Sequence, residues 1–280
     1  MKLDPGTFLL QWATGCFLFG WVTTRHRLVS LGYGWLIRIV FGLMALGGGL
    51  LLVNGGHAAA GAFALATAAA ATVALAVSVV RRGAGARGQE EVRARRKARV
   101  AAMVGSGEEE VEETGPEFPP VLDLVAAIIG FVGLLFAAEF AGGPYLLAAS
   151  RLVVGAAFLG SVSDAMLLGH WYLVQPGLPR EPVRELVRWV GIIWPFELLV
   201  FLWPTGMVQV FNGTVDDGYD GILGWMWAVC AVTTIGLVVM TWYALKEKSY
   251  SAVMAATGLL YLAILTAFGV DLVARAVLNP

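Results

Sequence analysis

The sequence predicts an all-α fold: a polytopic integral membrane helix bundle of about eight transmembrane helices, with both termini outside. Three observations predict it. Of the 280 residues, 58% are hydrophobic and only 14% are charged, whereas a soluble domain carries about a quarter charged residues. The apolar residues lie in blocks close to the ~20 residues that a helix needs to cross a bilayer. A helix can make that crossing because it satisfies its own backbone hydrogen bonds. The connections between blocks alternate in charge, as the positive-inside rule requires of a chain threaded back and forth.

The expected spans cover residues 7–24, 35–53, 58–80, 121–140, 145–168, 183–203, 222–245 and 251–273. The first block, within MKLDPGTFLLQWATGCFLFGW, has no basic leader and carries Asp4. It reads as a retained span rather than a cleaved signal. The third, AAAGAFALATAAAATVALAVSVV, is alanine-rich and suits a helix packed among others. Ala45 with Gly49, and Gly130 with Gly133, let helices approach closely. Cys16 and Cys230 fall mid-block and serve as small apolar filler. The chain has no CxxC, CxxCH or Cys/His cluster, which argues against zinc, iron–sulfur and covalent c-type haem sites.

The connections set the orientation. The first carries Arg25 and Arg27, and the second, NGGH, has no Lys or Arg. The third holds Arg81, Arg82, Arg87, Arg93, Arg95, Arg96, Lys97 and Arg99. The fourth is neutral, and the fifth has Arg180 with Arg184 and Arg188 close behind. The sixth, TGMVQVFNGTVDDGYDG, is acidic, and the seventh holds Lys246 and Lys248. The basic connections are therefore cytoplasmic, in a bacterial-type inner membrane. The chain divides into a three-helix membrane part (1–80), a charged cytoplasmic linker (81–120) and a five-helix membrane part (121–280). The linker reads as a solvated segment, or as a docking or anionic-lipid contact. A net charge of −1 gives no bulk attraction to nucleic acid, so the partner that composition implies is the lipid bilayer.

Ionisable groups inside spans cost ~2.5–3.5 kcal/mol each at mid-bilayer, so they are paired, shallow or functional. Two polar intramembrane sites are expected. The inner one gathers Arg38, Asp123, Asp164, His170 and Arg188, with Asp164 and Arg188 at matching depth on neighbouring spans. The outer one gathers Glu139, Arg151 and Glu197. Pro195, two residues before Glu197, removes a backbone donor and frees a carbonyl one turn earlier. A kink there builds a polar cavity beside a buried acid.

His170, in GHWY, is either a polar-site residue or an interfacial cap. As a site residue it would be a haem ligand, a quinone hydrogen-bond donor or a proton relay. Bis-histidine haem b is disfavoured, because His57 lies on the other side and His26 sits between two arginines. No metal ligand or catalytic residue is assigned. Near the C-terminus, GLLYLAILTAFGVDLVARAVL places Asp271 and Arg275 one turn apart on one helix face. This ending, with eight spans and both ends outside, resembles the NrfD-like membrane-anchor subunits of dimethyl-sulfoxide-reductase-type complexes. The resemblance implies a subunit that exchanges electrons with quinol and docks a soluble redox partner. The function expected first is thus a membrane subunit, not catalytic by itself, with a quinone or proton-handling site. A secondary transporter using Glu197 and Arg151 is the alternative, and a scaffold or assembly factor acting through the linker is a third.

Overall fold

The computed structural model describes residues 2–84, 117–175, 178–204 and 206–278. Helix α1 spans Pro5–Thr24, α2 Leu31–Asn54, α3 Ala58–Val80, α4 Val121–Ala138, α5 Tyr145–Val174 and α6 Glu181–Leu202. The short α7 spans Met207–Phe211, α8 Ile222–Ala244 and α9 Tyr250–Val277, and one 3-10 turn, Arg82–Ala84, follows α3. Six of these helices, α2, α3, α4, α5, α8 and α9, are long and apolar enough to cross a membrane. Helix α6 falls short because Glu181, Arg184, Glu185, Arg188 and Glu197 lie along it. Helix α1 carries Gln11 and four threonines, which lower its hydropathy.

Packing explains why α1 tolerates that polarity. It sits in the middle of the molecule, against α2, α4 and α5, and most of its residues are buried. Lipid would not touch those side chains. Helices α1–α4 close one ring of neighbours, while α5, α6, α8 and α9 close another. Helix α5 joins the rings by packing on α1 and α4. Helix α4 follows the linker in the chain, yet it packs with the first three helices. The arrangement in space is four and four where the chain order suggested three and five.

Side-chain polarity is inverted relative to a water-soluble bundle. Leu43, Leu265 and Val232 are 63–68% exposed, while Asp164, Glu197, Asp271 and Arg275 are 0% exposed. Large apolar side chains on the outside and ionisable ones inside are the pattern of a multi-pass membrane protein that contacts lipid.

Local rules set the helix ends. Asp4 caps α1 by accepting from Thr7 N at 2.6 Å, with Pro5 in the first turn, where its missing N–H costs nothing. Ser249 caps α9 through Ala252 N. Several basic residues assigned to cytoplasmic connections also close those connections. Arg25 pairs with Glu185, and Arg27 with Glu117. Arg180 donates to the carbonyls of Lys248 and Ser249 at 2.8 and 2.9 Å. Arg184 donates to Leu245 O at the end of α8, where a helix leaves carbonyls unpaired and favours a cation. The basic run from Arg87 to Arg99, with its docking reading, lies outside the described residues.

Before α8, Asp217 accepts from the backbone N–H groups of Tyr219, Gly221, Leu223 and Gly224 at 2.8–3.4 Å. Gly221 supplies the left-handed turn there, at φ +83°. Desolvation pushes the Asp217 carboxyl up, but these N–H bonds outweigh it and hold the group below the ordinary aspartate range. A depressed folded-state value means the cap is fully present above the unfolded value of about 4. It is lost as pH falls through the lower folded value. The melting-temperature gap between the protein and Asp217→Asn is therefore expected to narrow as pH drops through that window. A gap that stays constant contradicts the cap.

Candidate functional site: two buried carboxylate clusters

The first cluster lies away from the chain termini. Arg38 of α2 forms a two-pronged pair with Asp123 in the first turn of α4, at 2.7 and 2.8 Å. Thr24 adds a third bond to Asp123 at 3.2 Å, and the Phe118 ring centre stacks 4.0 Å from the guanidinium. Both charges are nearly inaccessible, and parallel N–H···O bonds of this kind are the stronger type of ion pair. Gly34, one turn before Arg38, leaves room for the guanidinium: a Cβ there would stand 2.8 Å from Nη1.

Asp164 projects from α5 in the same half. It is fully buried, and neither carboxylate oxygen has a hydrogen-bond partner among the described residues. Its surroundings come mostly from α1 and α2. The Cys16 thiol lies against it, within interaction range though not in hydrogen-bond geometry. A Cβ on Gly20 would stand 3.7 Å from its Oδ2. The Tyr33 hydroxyl donates weakly to its backbone carbonyl at 3.4 Å. Next to it, Ser163 accepts from Trp12 Nε1 at 2.8 Å and donates to Leu159 O at 2.6 Å. Asp123 is the charged group near Asp164, and Arg38 already balances Asp123. Asp164 is thus a buried carboxyl without an ion-pair partner among the described residues.

The second cluster lies in the half that holds both termini. Arg275 donates to Asp271 on its own helix at 2.6 and 3.3 Å, and also to Gln11 Oε1. Gln11 in turn donates to Asp271 at 3.2 Å. This closed triangle pins α9 to α1. Gly155 of α5 makes it possible: a Cβ there would stand 2.4 Å from Gln11 Nε2 and 3.0 Å from Asp271 Oδ1. Glu197 of α6 is fully buried within electrostatic reach of Asp271 and Arg275. Arg151 of α5 lies within reach of Arg275. Its Nε donates to Val200 O at 2.8 Å. That carbonyl would ordinarily accept from the residue four positions on, but residue 204 is proline and has no N–H. Arg151 replaces the missing donor.

A tight crossing separates the clusters. A Cβ on Gly160 would stand 2.1 Å from the backbone carbon of Gly15, and one on Gly15 would stand 1.8 Å from Ala156 O. The α1 and α5 backbones touch there, and a water molecule needs a cavity that contact does not leave.

The structure brings Arg38, Asp123 and Asp164 together, and joins Arg151 and Glu197 to one cluster. It does not bring His170, Arg188 or Glu139 into either. His170 is exposed, with Nδ1 3.1 Å from the hydroxyl of Tyr261 on α9. Arg188 is exposed and stacks over Trp242 at 5.6 Å rather than reaching Asp164. Leu186, Val187 and Val190 take the inward face of α6 at that level, which leaves Arg188 outside. Glu139 caps the end of α4 and is exposed. Sequence reasoning left Asp271 and Arg275 outside the outer site and did not name Gln11 or Tyr33. A lone amide inside an apolar block was the available signal for Gln11. Each cluster places buried carboxyl groups inside an apolar bundle. Compared with known proteins, the chain matches no family model, no curated protein and no solved structure.

Proposed function

We propose that the chain is an eight-span inner-membrane protein, both termini outside, that handles protons at Asp164 as the membrane subunit of a quinone-linked redox complex. Asp164 carries the reading. An isolated buried charge is costly unless paired, and Asp164 has neither an ion-pair partner nor a hydrogen bond to its oxygens among the described residues. A carboxyl kept this way serves a change of protonation better than it serves packing, where Asn or Leu would do. Ser163, Cys16 and Tyr33 supply exchangeable hydrogens beside it. The redox setting rests on the last span, where Asp271 and Arg275 stand as in the family that the sequence resembles. The eight-span orientation rests on the alternating charge of the connections and on α1 and α6 packing as full members of the two rings.

Copurification from native membranes in a gentle detergent tests the redox setting. The expected result is a stoichiometric iron–sulfur, haem or molybdenum protein, with Asp164→Asn preserving that assembly while removing its proton-linked turnover. A protein that purifies alone would overturn the redox assignment. Orientation is tested separately, in a Cys16→Ala, Cys230→Ala background. Thr214→Cys is expected to react with an impermeant thiol reagent from outside the cell and Ser106→Cys to stay unreacted. The reverse pattern inverts the topology.

A further inference from the structure

The proton reading at Asp164 makes no use of the second cluster, which contains three buried polar atoms without a hydrogen-bond partner among the described residues: both Glu197 oxygens and Arg275 Nη1. Buried polar atoms are almost always satisfied. Here an unused donor and two unused acceptors belong to the same cluster, in electrostatic reach of one another. The charged groups facing Glu197 are Asp271 and Arg275 from α9, with Arg151 of α5 within reach of Arg275. Gln11 of α1 is neutral. Helix α8 has no acid or base beyond Cys230 and Tyr243. With both acids ionised, two carboxylates balance two guanidiniums, and one bound proton leaves the cluster with a single positive charge.

The element that carries Glu197 is interrupted. Pro195 lies inside α6, so the carbonyl of Gly191 lacks its helical donor. The space that a Cβ on Gly191 would occupy is open. Helices bend at such points, and the segment bearing Glu197 starts two residues later.

We propose that Glu197 is a second protonation site, separate from Asp164, whose carboxylate takes Arg275 Nη1 as its partner, while Nε and Nη2 stay in the Asp271–Gln11 triangle, and releases Nη1 when a proton binds. On ionisation, Glu197 accepts from Nη1, directly or through one water. On protonation, one Oε–H bond forms with a proton from the aqueous phase and no other covalent bond changes. The Gly15–Gly160 contact lies between the two clusters. Glu197 is expected to exchange its proton with the side that holds the chain termini, independently of Asp164.

Nuclear magnetic resonance on the full chain in detergent tests this, with glutamate labelled at the carboxyl carbon and arginine at the guanidinium nitrogens. The expected result is a carboxyl resonance that moves with pH and is missing in Glu197→Gln. An Arg275 Nη signal should move with the same midpoint, and both should persist in Asp164→Asn. Should Glu197→Gln fail to fold, Glu197→Asp makes the assignment, because it removes the glutamate resonance and keeps a carboxyl. A Glu197 resonance that stays fixed while the protein remains folded would overturn the proposal. So would an Arg275 signal that does not follow Glu197, or a Glu197 response that disappears in Asp164→Asn.

Discussion

Arg275→Leu is expected to destabilise the bundle by about 3–5 kcal/mol, the cost of breaking a buried ion pair from one side. Arg275 is fully buried and donates to both Asp271 and Gln11. Removing it leaves Asp271 as a buried carboxylate without its cation, and Gln11 without one of its bonds. It also takes a positive charge from Glu197. The combined change Arg275→Leu with Asp271→Leu should be much milder, because replacing both partners of a buried pair by apolar groups is often close to neutral. Thermal unfolding in one detergent compares the two variants directly. Equal losses would mean that the pair contributes packing alone and that its charges are not coupled.

Gly160→Leu is expected to be more damaging still, and its effect comes from sterics rather than charge. A side chain at residue 160 meets the backbone of Gly15 at 2.1–2.5 Å, and backbone cannot move aside as a side-chain tip can. The cost exceeds the ~1–3 kcal/mol of ordinary overpacking, because α1 and α5 must separate along their length. The measurable result is a loss of folded, monodisperse protein after extraction. Gly236→Leu serves as the control: a Cβ on Gly236 would meet nothing within 4 Å, so this variant should extract normally. Comparable yields for the two variants would contradict the tight crossing.

The helices were legible in the sequence because each is a block of apolar residues bounded by charge, glycine or proline. All eight expected blocks are helical in the structure, and the small-residue pairs mark real contacts. A Cβ on Gly49 would meet Leu65, and one on Gly130 would meet Thr14. The neighbour relations were less legible. Depth along a helix follows from counting residues, which is why Arg38 and Asp123, or Arg151 and Glu197, were placed at common levels. Which way a residue faces depends on how a helix is rotated in its ring. Helix α6 is amphipathic near Arg188: Arg184, Glu185 and Arg188 share one face, and the buried Val183, Leu186, Val187 and Val190 take the other, so the local pattern already turned Arg188 outward, and the expected Asp164–Arg188 pair does not form. Asp271 and Arg275 were visible as a pair through their spacing. Their link to Gln11 spans some 260 residues and is set by the packing of α9 against α5 and α1. Asp164 was visible as an acid in an apolar block. Its lack of a cation emerged only once Arg38 was seen to be committed to Asp123.

The most direct measurement is infrared difference spectroscopy of the full chain as pH is stepped, compared with Asp164→Asn. A carboxyl C=O band that grows as pH falls, is absent in Asp164→Asn and survives in Glu197→Gln would establish that Asp164 exchanges a proton with water. Identical difference spectra for the protein and Asp164→Asn, across the pH range in which both stay folded, would show that Asp164 holds one protonation state throughout. Asp164 would then be a structural residue, and the proton-handling function would be wrong.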